Sequence, residues 1–378
     1  MTNDSIEPRR SPLHEVHEQL GASFTDFAGW LMPVRYDSDL AEHHAVRTAA
    51  GMFDISHMAE ISVTGPQAGA FLDFALSGRL SSLALMQARY SLLLDESAGI
   101  IDDVIVYHNA EGEYLVVANA GNHDAAVAAL QARVAGFEVT VTDVSDQTAL
   151  IAVQGPRALE ILQATEGLRV LDGQTPLAEV KNYWSTGAGF ASGTVFVART
   201  GYTGEDGFEL YIDPEHAVAL WQALQAAGQP LGLVPAGLAC RDTLRLEAGM
   251  PLYGNELSRD ILPVQAGLGR VVVLGKEGDF VGRSAAEAGP AEGARVLVGL
   301  AAEGRRAARS GYPVLAGEQT IGEVSSGALS PTLDHPIAMA YLDPQFAEPG
   351  TAVDLDVRGT RIPATVVTLP FYQRKQQQ

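Results

Sequence analysis

Cysteine is all but absent from this chain: Cys240 is the only one in 378 residues. A lone thiol excludes an internal disulfide and any multi-cysteine metal or iron–sulfur site, and it fits a reducing compartment, read here as the cytoplasm. Positive charge is also scarce, with 25 Lys and Arg against 46 Asp and Glu and a formal charge of −21. Such a chain has no overall field to attract nucleic acid or an anionic membrane, so neither is expected as a partner. No apolar run of about 18 residues occurs, and the polar stretch Met1 to Arg10 lacks the apolar core of a signal peptide. Among the histidines, His43, His44 and His57 have no HExxH spacing, and no metal site is expected. Gly267-Leu268-Gly269-Arg270 lacks the third glycine of a dinucleotide fingerprint, and neither a phosphate-binding loop nor a nucleophile elbow appears.

What is present is a large apolar fraction, 47%, enough to bury a substantial core in two or three domains. Ser11-Pro12 followed by Leu13, Val16 and Leu20 and closed by Gly21 reads as a capped helix that opens the ordered region. Strand-like runs at Tyr90 to Leu94, Ile100 to Tyr107 and Tyr114 to Asn119 predict an antiparallel meander. Val63-Thr64-Gly65-Pro66-Gln67-Ala68 is echoed by Val153-Gln154-Gly155-Pro156-Arg157-Ala158, each a strand ending at Gly-Pro before a helix. Two related strand-helix-strand units follow, as in an α+β fold with duplicated βαβ-type halves and antiparallel sheets. Beyond Gly275 short β-branched runs broken by glycine and proline predict a C-terminal β-barrel, with a linker near Gly289 to Gly293 and a disordered tail from Arg374 to Gln378.

Two stretches carry the chemistry. Gly201-Tyr202-Thr203-Gly204-Glu205-Asp206-Gly207-Phe208-Glu209 is a glycine-framed turn feeding a strand, and alternation sets Glu209 opposite Phe208, Leu210 and Ile212. Ala239 to Gly249 is a short helix on which Arg241 and Arg245 share a face. Together they offer an acceptor and a cation to a flat, polar ligand. Asp102 and Asp103 sit mid-strand and point to opposite faces, so they are no carboxylate dyad. The strand is otherwise apolar on both faces, Ile101 with Ile105 and Ile100 with Val104, so a carboxylate there needs donors or a cation. A covered carboxylate marks a functional site, while an acid solvated at a sheet rim is the plainer alternative. Glu209 and the Arg241 to Glu247 helix have the same alternative as solvated or salt-bridged surface.

With Gly29-Trp30, Glu42-His43, Phe53-Asp54-Ile55-Ser56-His57-Met58, Tyr253-Gly254-Asn255 and Ser330-Pro331-Thr332-Leu333 added in order, the chain resembles the glycine cleavage T-protein, or aminomethyltransferase, family over nearly its whole length. The resemblance implies a folate-binding core over 11–285, in two subdomains with the meander around 52–140, and a small barrel over 290–373. It implies transfer of an aminomethyl carbon from the lipoyl arm of H-protein to tetrahydrofolate, with ammonia released and 5,10-methylenetetrahydrofolate formed. It makes Asp103 the catalytic carboxylate and places Tyr90, Tyr202, Glu209, Arg241 and Asn119 against the folate.

The chain departs from the family where Gln265 and Arg270 replace the usual glutamate and tryptophan, which leaves that pocket wall open. A plain hairpin pairing Leu94 with Ile100 puts Tyr90 on the face of Asp102, and only a bulge at Asp95 to Gly99 groups it with Asp103. Two alternative functions share the fold: a folate-dependent demethylase of a small methylated amine or sulfonium compound, and a non-enzymatic folate-binding accessory protein. The second is marked by a Lys-Gly-Cys-Tyr motif, where this chain has Arg199-Thr200-Gly201-Tyr202. Arg305, Arg306 and Arg309 with Arg358 and Arg361 form small basic clusters, which either receive an acidic carrier protein or are plain solvated surface.

Overall fold

The computed structural model describes residues 7–374. The expected tail beyond Arg374 lies outside the described residues. The Gly-Pro repeat is built twice. Strand Ala59–Thr64 ends at Gly65 and helix Ala68–Ala75 follows; strand Ala149–Gln154 ends at Gly155 and helix Ala158–Ala164 follows. Gly65 and Gly155 have φ of 137° and 139°. A Cβ would stand 2.3 Å from the Glu138 carbonyl oxygen at the first and 2.5 Å from that of Ala49 at the second. Both the backbone angle and the close approach therefore demand glycine.

After each helix the chain runs through a meander of three antiparallel strands and returns to pair with its first strand; in the second unit a two-residue edge strand, Arg169–Val170, precedes the meander. The spatial order is Ala88–Leu94, Ile100–Ala110, Glu113–Ala118, Ala59–Thr64 in one sheet and Ser185–Phe190, Gly193–Ala198, Gly207–Ile212, Ala149–Gln154 in the other. The repeating unit is thus larger than a strand-helix-strand: it includes a whole meander and a second helix, His123–Ala132 or Pro214–Gly228, leading to a last strand. That last strand, Thr140–Asp143, pairs directly with Ala59–Thr64 in the five-stranded sheet. In the seven-stranded sheet Ala50–Asp54 intervenes, pairing antiparallel with Ala149–Gln154 and parallel with Leu233–Pro235.

Helices cover the outer face of each sheet. Phe71, Leu72 and Leu130 pack on Ile61, Val63 and Val116, while Trp221, Leu220 and Ile161 pack on Ile151, Leu210 and Phe208. Each such side chain contributes about 1.5–3 kcal/mol on leaving water. The inner faces of the two sheets meet around Tyr107, Val117, Leu150, Ala152 and Tyr211, and there the apolar layer gives way to polar groups. Helix Leu238–Glu247 packs at this junction through Cys240 and Leu244. Among the described residues no helix is long and apolar enough to cross a membrane.

The β texture resumes later than Gly275: helix Arg283–Ala288 intervenes, and the first barrel strand is Val296–Ala302. Six strands close the barrel. It is fastened to the core by a buried polar knot. The Glu247 carboxylate lies 2.7 Å from the Arg47 guanidinium and 3.1 Å from His43 Nε2, and it accepts from the Ser330 hydroxyl and the Thr332 backbone N–H. Burial pushes the Glu247 carboxyl up, but His43, Ser330 and Arg47 outweigh it and hold it at about 2. Of the barrel arginines, Arg305 pairs with Asp334 and Arg361 with Glu318 at 2.8 Å each, while Arg306, Arg309 and Arg358 make no ion pair among the described residues.

Candidate active site

A cavity of about 490 Å³ opens where the two inner sheet faces part, within the range of small-molecule sites. It gathers all six residues singled out from the sequence: Asp103, Tyr90, Asn119, Tyr202, Glu209 and Arg241 all line it.

Asp103 reaches it through a bulge. In the hairpin Leu94 pairs with Ile100 and Leu93 with Asp102, so Ile101 is the extra residue. The bulge lies at Ile101, just inside the strand, and not in the Asp95 to Gly99 turn. It also corrects the pairing of faces: Ile100 packs with Leu92 and Leu94, whereas Ile101 joins Val104 and Val106 in the outer core. From there Leu92 faces Asp103 and Tyr90 faces Ile105, which brings Tyr90 and Asp103 to one side. The Tyr90 hydroxyl donates to Asp103 Oδ2 at 3.0 Å and Asn119 Nδ2 donates to Oδ1 at 2.8 Å. Burial lifts the Asp103 carboxyl to about 6 against the pull of those two donors. The carboxylate is half-buried at the cavity wall, satisfied by two donors and carried by an interior strand of its sheet, not at a sheet rim.

Glu209 stands on strand Gly207–Ile212 with Tyr211, while Phe208, Leu210 and Ile212 go to the outer core. It is 8% exposed, so it is not a solvated strand residue either. The Thr200 hydroxyl donates to it at 2.5 Å and the Tyr107 hydroxyl at 3.4 Å. Burial raises its carboxyl, against Thr200 and the Arg241 charge. Arg241 extends over the Tyr202 ring at 4.7 Å and makes no ion pair among the described residues. Arg245, on the same helix, is taken up by Asp242 and Glu256 at 2.7 and 3.0 Å. The helix thus has one cation committed to structure and one left for the cavity. The Tyr202 hydroxyl is anchored on the Pro251 carbonyl at 2.5 Å.

Sequence reasoning missed other lining groups. His57 is 3% exposed, and burial with the Arg241 charge drives its imidazole down to about 4, so it is neutral. Tyr183 lines the mouth with φ of 60°, a backbone region a bulky residue rarely occupies. His57 lay within a quoted motif, but nothing in its spacing gave it a place; Tyr183 lay in no motif. The wall left open by Gln265 and Arg270 is supplied by Leu268. Gln265 turns away to the Leu262 N–H and Arg295 carbonyl, and Arg270 is exposed. Cys240 is buried in the core and does not line the cavity. Among the described residues no group of three or more His, Cys, Asp or Glu is placed to hold a metal.

A carboxylate, an unpaired guanidinium and five tyrosine rings fit a planar heterocycle that offers adjacent N–H donors and an acceptor. Asp103 lines the same cavity.

Comparison with known proteins identifies the family. The GCVT N-terminal domain matches residues 13–276 and the glycine cleavage T-protein C-terminal barrel domain matches residues 295–373. An aminomethyltransferase of Cutibacterium acnes is 58% identical, covering 97% of this chain and 99% of its own. One from Streptomyces coelicolor is 56% identical, covering 98% and 99%. The crystal structure of glycine cleavage system aminomethyltransferase T from Bartonella henselae superposes with a TM-score of 0.87 at 39% identity, over 97% of this chain and 98% of that one.

Proposed function

The chain belongs to the glycine cleavage T-protein family, and from that premise we propose that it moves a carbon from the lipoyl arm of H-protein to tetrahydrofolate. Its activity is that of an aminomethyltransferase of the glycine cleavage system. The folate supplies two amine nitrogens that take up the carbon, one in the reduced pterin ring and one in the linker beside it, and their two protons leave on ammonia and on the freed lipoyl sulfur. Residues 11–285 form the folate-binding core and 290–373 the barrel unit in this reading.

Glu209 accepts two parallel N–H donors from the pterin edge, because its carboxylate is fixed by Thr200 and Tyr107 and faces the cavity. Arg241, without an anionic partner, holds the opposite, acceptor side of the ring or its carboxylate tail. Tyr90 and Tyr202 supply the aromatic walls. The carbon becomes electron-poor as ammonia departs. Asp103 stabilises that charge, since a fixed carboxylate in a water-poor site does so better than water, which must reorganise. The remaining acceleration is proximity: two substrates held at one spot. Its single cysteine supports a reducing compartment, and the cytoplasm is the location proposed.

The observation that carries this reading is the placement of Asp103, Glu209 and Arg241 in one cavity. The test is tetrahydrofolate-dependent ammonia release from aminomethylated H-protein. Release at a rate independent of tetrahydrofolate, or demethylation of free methylated amines without H-protein, overturns it.

A further inference from the structure

Behind Asp103 lies a second carboxylate that the proposed chemistry does not use. Asp102 is fully buried and does not line the cavity. Three donors hold it: the Asn119 backbone N–H at 2.9 Å, Asn119 Nδ2 at 2.8 Å and Asn122 Nδ2 at 2.7 Å. A buried acid is a poor way to fill a strand interior, because an aliphatic side chain packs there without any desolvation cost. The residue needs another reason to be there.

Asn119 supplies one. Its Nδ2 lies 2.8 Å from Asp102 Oδ1, 2.8 Å from Asp103 Oδ1 and 3.2 Å from the Asp103 carbonyl oxygen. Three acceptors converging on one atom identify it as the amide nitrogen, since the reversed amide would set oxygen against oxygen. Each of its two N–H bonds is then taken by one carboxylate. Its Oδ1 accepts no hydrogen bond from the described residues, and the side chain lines the cavity.

We propose that Asp102 is a positioning residue: it locks the Asn119 amide in one orientation, with an N–H on Asp103 and the carbonyl oxygen free to accept an N–H of the substrates. With Asp102 gone the amide has one anchor instead of two and can turn over. Asp103 then loses a fixed donor, and the cavity loses an acceptor. This inference rests on Asp103 being the residue that faces the migrating carbon.

The test is a double-mutant cycle on the full chain with Asp102→Asn, Asn119→Ala and both together. It measures turnover of ammonia release from aminomethylated H-protein and the Kd for 5-formyltetrahydrofolate, a stable reduced folate. Asp102→Asn is expected to slow turnover roughly 10- to 100-fold, as for a lost hydrogen bond to a charged group, with Kd changed less than about threefold. Because Asp102 acts through Asn119, the double variant should be no slower than Asn119→Ala alone within about threefold. Asp102→Ala, which adds no opposed donors, takes its place if Asp102→Asn does not fold. Losses that multiply, or full turnover in the Asp102 variant, overturn the inference. Turnover retained in Asp103→Asn would instead sink the Asp103 assignment, so the two failures are distinguishable.

Discussion

Tyr90 and Asp103 meet across a bulged hairpin, the tyrosine hydroxyl donating to Asp103 Oδ2 at 3.0 Å. A donor to a carboxylate favours its ionised form, so removing it raises an acid already lifted to about 6 by burial. If Asp103 sets the acid limb of the kcat profile, Tyr90→Phe should shift that limb upward and lower turnover about tenfold. An unmoved acid limb in the variant would show that the hydrogen bond does not set the state of Asp103.

Glu209 has two hydroxyl donors and a distant cation but no ion-pair partner of its own. Glu209→Gln keeps the shape and loses the ability to accept two N–H groups at once. Affinity for 5-formyltetrahydrofolate should fall roughly 10- to 100-fold, with thermal stability kept or slightly raised because a buried charge is removed. Isothermal titration beside a melting curve checks both; unchanged affinity would remove Glu209 from the folate site.

Glu247 joins the core to the barrel, and its carboxyl is held at about 2 against the ordinary 4.5. Its folded value lies below its unfolded one, so the stability it contributes is fully present above about 4.5 and is lost as the pH falls through about 2. Glu247→Gln should cost about 3 kcal/mol in urea unfolding at pH 7, and the difference from the parent should shrink as the pH falls below 4. Equal midpoints at pH 7 would contradict the role given to the knot.

Gly155→Ala tests the duplicated turn. The φ of 139° and the backbone atoms 2.5 to 2.8 Å from the added Cβ leave no room for accommodation. A loss well above 1 kcal/mol is expected, while Gly136→Ala, also at positive φ but with nothing within 4 Å, should cost less. Equal melting temperatures for the two variants would mean that the contact at Gly155 is not limiting.

Much of this was legible in the residues, for identifiable reasons. Alternation along Gly207–Ile212 was enough to separate Glu209 from Phe208 and Leu210, and two Gly-Pro echoes exposed the duplication because both glycines meet the same steric demand. The size of the unit was not legible, since the strands of the second meander share no residue pattern with the first. The bulge at Ile101 was required by the grouping of Tyr90 with Asp103, but its position was hidden: isoleucine at 100 and at 101 suits either face. His57 and Tyr183 came from distant segments that only the closing of two sheets brings to one cavity. The division of labour between Arg241 and Arg245 depended on Glu256, eleven residues beyond Arg245 and outside any helical spacing.

The most direct measurement is turnover of Asp103→Asn in tetrahydrofolate-dependent ammonia release, with 5-formyltetrahydrofolate binding measured on the same preparation. The account predicts turnover lower by roughly 10² or more through lost transition-state electrostatics, with binding essentially intact. Turnover within a few-fold of the parent protein would contradict it.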